Sequence, residues 1–183
     1  MHTPGSRPSR YDGAMRLQTA RLELFALDLA AANAWAAGDV ARLRELTGMQ
    51  FPPLAPPLID EDMLKLRDLI ASAGARWIWA LWAFAQDGVV IGAGGAGAGP
   101  QPDGAVAFGY SIYPEHQRQG FATEAARALV QWYFTHPEVR LVRATVPPGH
   151  TPSIRVVEKC GLVRVGTMHD PEVGAVDTFE RQR

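Results

Sequence analysis

The sequence predicts a mixed α/β or α+β domain, and two observations carry that reading. Residues 104–183 alternate strand, helix, strand, helix and strand patterns, and before them a hairpin signal joins two apolar runs, 77–85 and 89–94, through Gly88. An antiparallel N-terminal sheet feeding such a unit makes a mixed sheet with helices on both faces. With 183 residues, 47% hydrophobic and 20% charged, the chain can bury one sizeable core. No internal repeat is detectable, which sets solenoids and propellers aside.

The elements follow in order. Residues 1–14 are rich in Pro, Gly, Ser and Arg with almost nothing to bury, so they are expected to be a disordered extension, with Met15 a candidate start and 15–183 a single domain. Leu22, Leu24 and Ala26 alternate with Arg21, Glu23 and Phe25, as in a strand with one buried face. Asp28 can cap a helix running to Ala36, Gly38 and Asp39 punctuate it, and Val40, Leu43 and Leu46 continue on a second helix. Four prolines in 51–57 exclude a helix there, and Asp60 is expected to open the next one, carrying Met63, Leu66, Leu69 and Ile70. After the hairpin come a strand at 104–113, a helix at 121–135, a strand at 140–146, a helix at 152–160 ending at Gly161, and a final strand pair.

Charge and composition exclude several function classes. Lys plus Arg total 18 against 19 Asp plus Glu, so the net charge of -1 gives no global field for nucleic acid or an anionic membrane. No apolar run approaches the ~20 residues that span a bilayer, and the N-terminus lacks a signal peptide's apolar core. The single cysteine, Cys160, excludes an internal disulfide framework, and no histidine pair has metal-ligand spacing. The expectation is a cytoplasmic protein with no metal, no nucleic-acid partner and no membrane partner.

The chemistry concentrates in YSIYPEHQRQGFATEAARALVQWYF, where a strand ends, a polar turn follows, and Gln117 to Ala122 lead into an amphipathic helix. Gly120 and Ala122 let a bulky anion approach the backbone, the unpaired amides of the first turn and the helix dipole favour negative charge, and Arg118 adds a full positive charge. Such a site suits a pyrophosphate without a metal. A second segment, HTPSIRVVEKCGL, follows the next strand and opens another helix.

Together these segments resemble the GNAT superfamily of acetyl-CoA-dependent N-acetyltransferases, whose signature is Gln/Arg-x-x-Gly-x-Gly/Ala at the start of the helix after the central strand. SIRVVEKCGL, RLQTARLELFALD and FGYSIYPEHQRQGFATEA look like the branch containing the ribosomal-protein N-acetyltransferases, so the resemblance covers nearly everything from Met15 onward. It implies a GNAT-like, mostly antiparallel central sheet with a splayed parallel strand pair. Pantetheine would lie in the splay beside Tyr110, Ser111 and Ile112, with backbone groups of Ser111 and Ile112 pairing with its amides. The pyrophosphate would rest on the amides of Gln119, Gly120, Phe121, Ala122 and Thr123, with Arg118.

The resemblance also shows departures. Where many members carry a general-acid tyrosine, four residues before the glycine ending the second helix, this chain has Val157. Ser153, at the start of that helix, is the candidate substitute, its alternative role being a helix cap. His150 stands where the family usually has an asparagine that bonds pantetheine or a catalytic water; an imidazole can do the same or accept the ammonium proton. Glu115 is the carboxylate nearest the expected splay and a candidate relay through water, while Val106 occupies the strand position where some members place a glutamate base. The implied activity is transfer of an acetyl group from acetyl-CoA to a primary amine, a protein N-terminus or a small molecule, by direct attack. Alternatives are a non-catalytic acyl-CoA-binding module and an enzyme for a longer acyl-CoA. A homodimer is compatible with the pattern.

Other features read as structural. Residues 92–97 match GxGxxG, but Pro100, Pro102 and Asp103 stand where a helix would have to start, so the glycines are read as a strand end and hairpin loop. Trp77, Trp79 and Trp82 are read as core or subunit contact, and Cys160 as a packing residue. The acceptor would be set by 28–74 and the loop 169–175, where acidic Glu45, Asp60, Glu61, Asp62, Asp170 and Glu172 could attract a cation.

Overall fold

The computed structural model describes residues 15–171 and 173–183, apart from the side chains of Leu58 and Ala75. The extension expected at 1–14, and Glu172, lie outside the described residues. Nine strands and five α-helices are described: β1 (Arg16–Gln18), β2 (Glu23–Ala26), α1 (Leu29–Ala36), α2 (Val40–Thr47), α3 (Pro57–Ser72), β3 (Trp82–Gln86), β4 (Val89–Gly95), β5 (Ala105–Ala107), β6 (Gly109–Ile112), α4 (Phe121–Tyr133), β7 (Leu141–Val146), α5 (Thr151–Lys159), β8 (Val163–Asp170) and β9 (Gly174–Gln182). They form two sheets, ordered β1-β2-β3-β4-β6 and β5-β7-β9-β8. The only parallel pairing between these strands is β5 with β7, so the expected mixed, mostly antiparallel architecture is present.

Two cores sandwich the first sheet. Leu24, Phe84 and Ile91 pack with Phe121, Leu129 and Tyr133 of α4, whereas Phe25, Ala83 and Val90 pack with Trp35, Leu43 and Met63 of α1 to α3. The opening strand, expected to bury one face, therefore buries both, because α1 to α3 fold back over what the alternation marked as a free face. Asp28 and Asp39 cap α1 and α2 through Ala31 and Arg42 amides, both at 2.9 Å.

Three further expectations are corrected. Helix α3 starts at Pro57 rather than Asp60, since proline at the first helical position loses no hydrogen bond. The run 77–85 is not one strand: a 3-10 helix, Gly74–Trp79, precedes β3 and carries Trp79 against Trp132, Tyr133 and His136, with ring centroids at 4.9, 5.7 and 4.6 Å. The strand at 104–113 is broken at Phe108. Its first half pairs with β7 and its second half with β4, while the Phe108 amide makes the last bond to β7, donating to the Arg143 carbonyl at 3.0 Å. That break opens the gap on which the site depends.

The glycines at 92–97 lie in β4 and the loop after it, with no helix following. The loop expected at 169–175 is shorter, because His169, Asp170, Gly174 and Ala175 pair within the β8–β9 hairpin.

Candidate active site

Tyr113 donates its amide to the Ile91 carbonyl at 3.1 Å, so antiparallel alternation turns the main chains of Ser111 and Gly109 toward β4 and those of Tyr110 and Ile112 toward the gap. Of the expected pair, Ser111 thus turns its main chain to β4, and it is Tyr110 that joins Ile112 in facing the gap. The Ile112 carbonyl already accepts from Gln117 Nε2 at 2.9 Å, which leaves its amide facing the gap. The Ser111 side chain lies on the α3 face of β6, with Tyr113, rather than on the α4 face with Tyr110.

The turn after β6 leads to a second group of amides. Arg118 (φ 63°) and Gly120 (φ 85°) are both left-handed, and with Gln119 between them they give the backbone shape from which concave anion sites are built. The first intrahelical bond of α4 runs from the Glu124 amide to the Gly120 carbonyl at 3.1 Å, so the amides of Phe121, Ala122 and Thr123 precede it. Gly120 supplies no side-chain cap. A groove of about 540 Å³ beside this turn is lined by Gly120, Thr123, Arg127 and Lys159, which adds two cations that the sequence reading did not single out.

That reading also missed what holds the turn in place. The Arg21 Nε and a terminal nitrogen each lie 2.7 Å from Glu124 Oε2, its Nη1 donates to the Gln119 carbonyl at 3.0 Å, and its guanidinium stands 4.4 Å from the centre of the Phe121 ring. Thr19 Oγ1 and the Arg21 amide donate to Glu124 Oε1 at 2.6 and 2.8 Å. Partial burial works against the Glu124 charge, but the Thr19 hydroxyl, the Arg21 amide and the Arg21 guanidinium outweigh it and hold this carboxyl below its usual range. No spacing rule links residues 103 apart, so only the fold could reveal the clamp.

Glu124→Gln should therefore destabilise the protein by about 1–3 kcal/mol at neutral pH, with the exposed side of Arg21 limiting the loss. A folded carboxyl held low contributes stability above its unfolded value and loses it as the pH falls through the folded value. The gap in unfolding free energy between the two proteins should accordingly narrow in acid, below the ordinary carboxylate value, as measured by urea titration across pH.

Across the gap, α5 begins at Thr151 after His150, which makes no side-chain cap. Ser153, three residues in, does not cap either: its Oγ lies 2.9 Å from His150 Nδ1. Two of the three residues singled out for proton transfer, His150 and Ser153, are thus one hydrogen-bonded pair. Tyr110 reaches over from β6, its hydroxyl 3.4 Å from the Ser153 carbonyl. Burial pushes its phenol well above the ordinary value, so it stays neutral.

Glu115 is exposed on the turn Pro114–His116, where its charge acts on Tyr113, and no contact brings it to the His150–Ser153 pair. Val157 and Val106 are fully buried in the core. Cys160 is buried and its thiol is pushed up to about 11 by desolvation, which keeps it protonated and argues against a nucleophilic role.

On the opposite face of β6 lies a recess of about 240 Å³ between α3 and the β4–β6 seam, lined by Asp62, Leu66, Leu81, Gly97, Ala107 and Gly109 among others. Among the described residues no group of three His, Cys, Asp or Glu side chains comes together, and no described helix is long and apolar enough to cross a membrane.

Known proteins share this architecture. The chain is 26% identical to an uncharacterized N-acetyltransferase, p20, of Bacillus licheniformis over 160 residues, 85% of this chain and 86% of that protein. The crystallised ribosomal α-N-protein acetyltransferase RimL, in complex with coenzyme A, superposes with a TM-score of 0.67 at 15% identity, over 92% of this chain and 98% of RimL. An aminoglycoside acetyltransferase in complex with coenzyme A and kanamycin superposes with a TM-score of 0.60 at 20% identity, over 88% and 95%. Residues 21–163 match the family described as the acetyltransferase (GNAT) domain. The chain belongs to the GNAT acetyltransferase family.

Proposed function

We propose that the chain from Met15 onward works as one N-acetyltransferase domain that transfers the acetyl group of acetyl-CoA to a primary amine. The observation that carries this reading is the pair of outward-facing backbone sets, Tyr110 with the Ile112 amide at the gap and the amides of residues 121–123 at the start of α4. The second set, with Arg118, suits the pyrophosphate, and the first suits the amides of pantetheine. An amide of β6 would donate to the thioester oxygen as charge develops there.

The acceptor nitrogen attacks the thioester carbon, the C–N bond forms and the C–S bond breaks, and the nitrogen gives up a proton as the thiolate gains one. Ser153, with its hydroxyl tied to His150, would deliver or relay that proton, the pair taking the part of the tyrosine that many family members carry where this chain has Val157; the hydrogen bond between the two supports the reading. A ribosomal-protein terminus and a small-molecule amine are both acceptors among its structural neighbours, RimL and the aminoglycoside acetyltransferase.

Thiol release from acetyl-CoA, followed over a panel of peptide termini and small amines, tests the reading. Amine-dependent release is the expected result. Binding of acetyl-CoA without release for any amine would instead favour a non-catalytic acyl-CoA-binding module.

A further inference from the structure

The recess between α3 and the β4–β6 seam contains a glycine that the packing of the fold does not explain and a single carboxylate. The first is Gly109. A Cβ built at Gly92, Gly94 or Gly95 would sit 2.5, 2.5 or 2.2 Å from a neighbouring atom, so close packing requires those glycines. At Gly109 the backbone is not left-handed and an added Cβ would meet nothing within 4 Å. A strand glycine that neither conformation nor crowding demands is a cost to folding, and what it leaves is room where β6 parts from β7.

The second is Asp62. Helix α3 turns Ile59, Met63 and Ile70 into the core, and Asp62 shares the lining of the recess with Ile59 and Leu66. It is the only charged residue among those lining the recess. Its partner, Lys65, stands 3.2 Å away, and with the Lys65 and Asp62 side chains 63% and 46% exposed the pair is screened, so that a ligand cation can replace it at little cost.

We infer that this recess recognises the acceptor and that Asp62 holds a positive charge on it other than the reacting nitrogen, so the substrate class is a small diamine or other amine with a second cationic group. This rests on the acetyltransferase reading given above. The reacting amine must be neutral to attack, so a second cation gives Asp62 something to bind throughout the reaction. Gly109 and Ala107 then leave the path from the recess to the gap open.

The test measures calorimetric binding of 1,6-diaminohexane and of its neutral isostere 1,6-hexanediol to the full chain, with and without CoA. Asp62→Asn and Gly109→Val are carried alongside. The wild type should bind the diamine at least about tenfold more tightly than the diol, and Asp62→Asn should erase that preference. Gly109→Val should weaken the diamine by a similar factor without lowering Tm, since valine suits a strand and its Cβ meets nothing. CoA affinity should stay within about twofold in Asp62→Asn, because Asp62 lies on α3 and belongs to neither of the backbone sets proposed for CoA.

An undiminished preference in Asp62→Asn, equal binding of diol and diamine by the wild type, or no binding of the diamine would overturn the inference. Failure of CoA to bind would remove the cofactor reading, and the diamine preference measured without CoA would still decide the role of Asp62.

Discussion

Arg118→Glu should remove most of the stabilisation expected from acetyl-CoA in the wild type. A ligand at about 100 times its dissociation constant adds about 2.7 kcal/mol to the folded state, which for a chain of this size raises Tm by roughly 5 to 11 °C. Reversing the charge beside a pyrophosphate removes a charge-assisted bond and adds repulsion, enough to weaken binding about a hundredfold. At the same ligand concentration only about 0.4 kcal/mol, or 1 to 2 °C, would then remain. Arg118 is exposed and left-handed, so the unliganded variant should melt near the wild type and the comparison stays clean. A full shift in Arg118→Glu would remove this turn from the cofactor site.

Ser153→Ala should lower kcat about a hundredfold while leaving acetyl-CoA affinity unchanged, as expected for a group that acts only on the proton in flight. His150→Ala should fall by a similar factor. Because the imidazole and the hydroxyl are one hydrogen-bonded unit, the double variant should be no worse than the poorer single one. Steady-state thiol release from all three proteins decides it. If none slows, the thiolate leaves unaided, which a thiol with a pKa near ~8.5 can do.

Much of this site was legible before any coordinates. The glycine at 120, the arginine at 118 and the small residues after them point to a helix start suited to an anion because local backbone chemistry alone favours one, and Arg118 and Gly120 are both left-handed in the structure. Ser153 and His150 were legible as separate candidates, but their pairing depends on the pitch of the first turn of α5. Sequence patterns fail where contact is distant. Arg21 reads as a strand flank and Glu124 as an ordinary acid in a first helical turn, and nothing local says that one clamps the other.

The errors in the fold have physical causes too. The run of tryptophans around Trp79 looks like a strand because bulky aromatics favour strands, yet a packing site against Trp132 and Tyr133 draws the chain into a 3-10 turn. The continuous pattern through 104–113 conceals the break at Phe108, because both halves keep the same alternation while changing neighbours.

That break has a consequence for how the protein lives beside other proteins. Open strand edges invite foreign strands, and a chain usually guards them with charge, proline or bulges. Here the unpaired edge of β6 faces the first sheet's neighbour, β7, rather than standing at the outer rim of a sheet. The edges left open to other chains are instead the outer ones, β1 in the first sheet and β8 in the second, and β8 carries exposed Val163, Val165 and Met168.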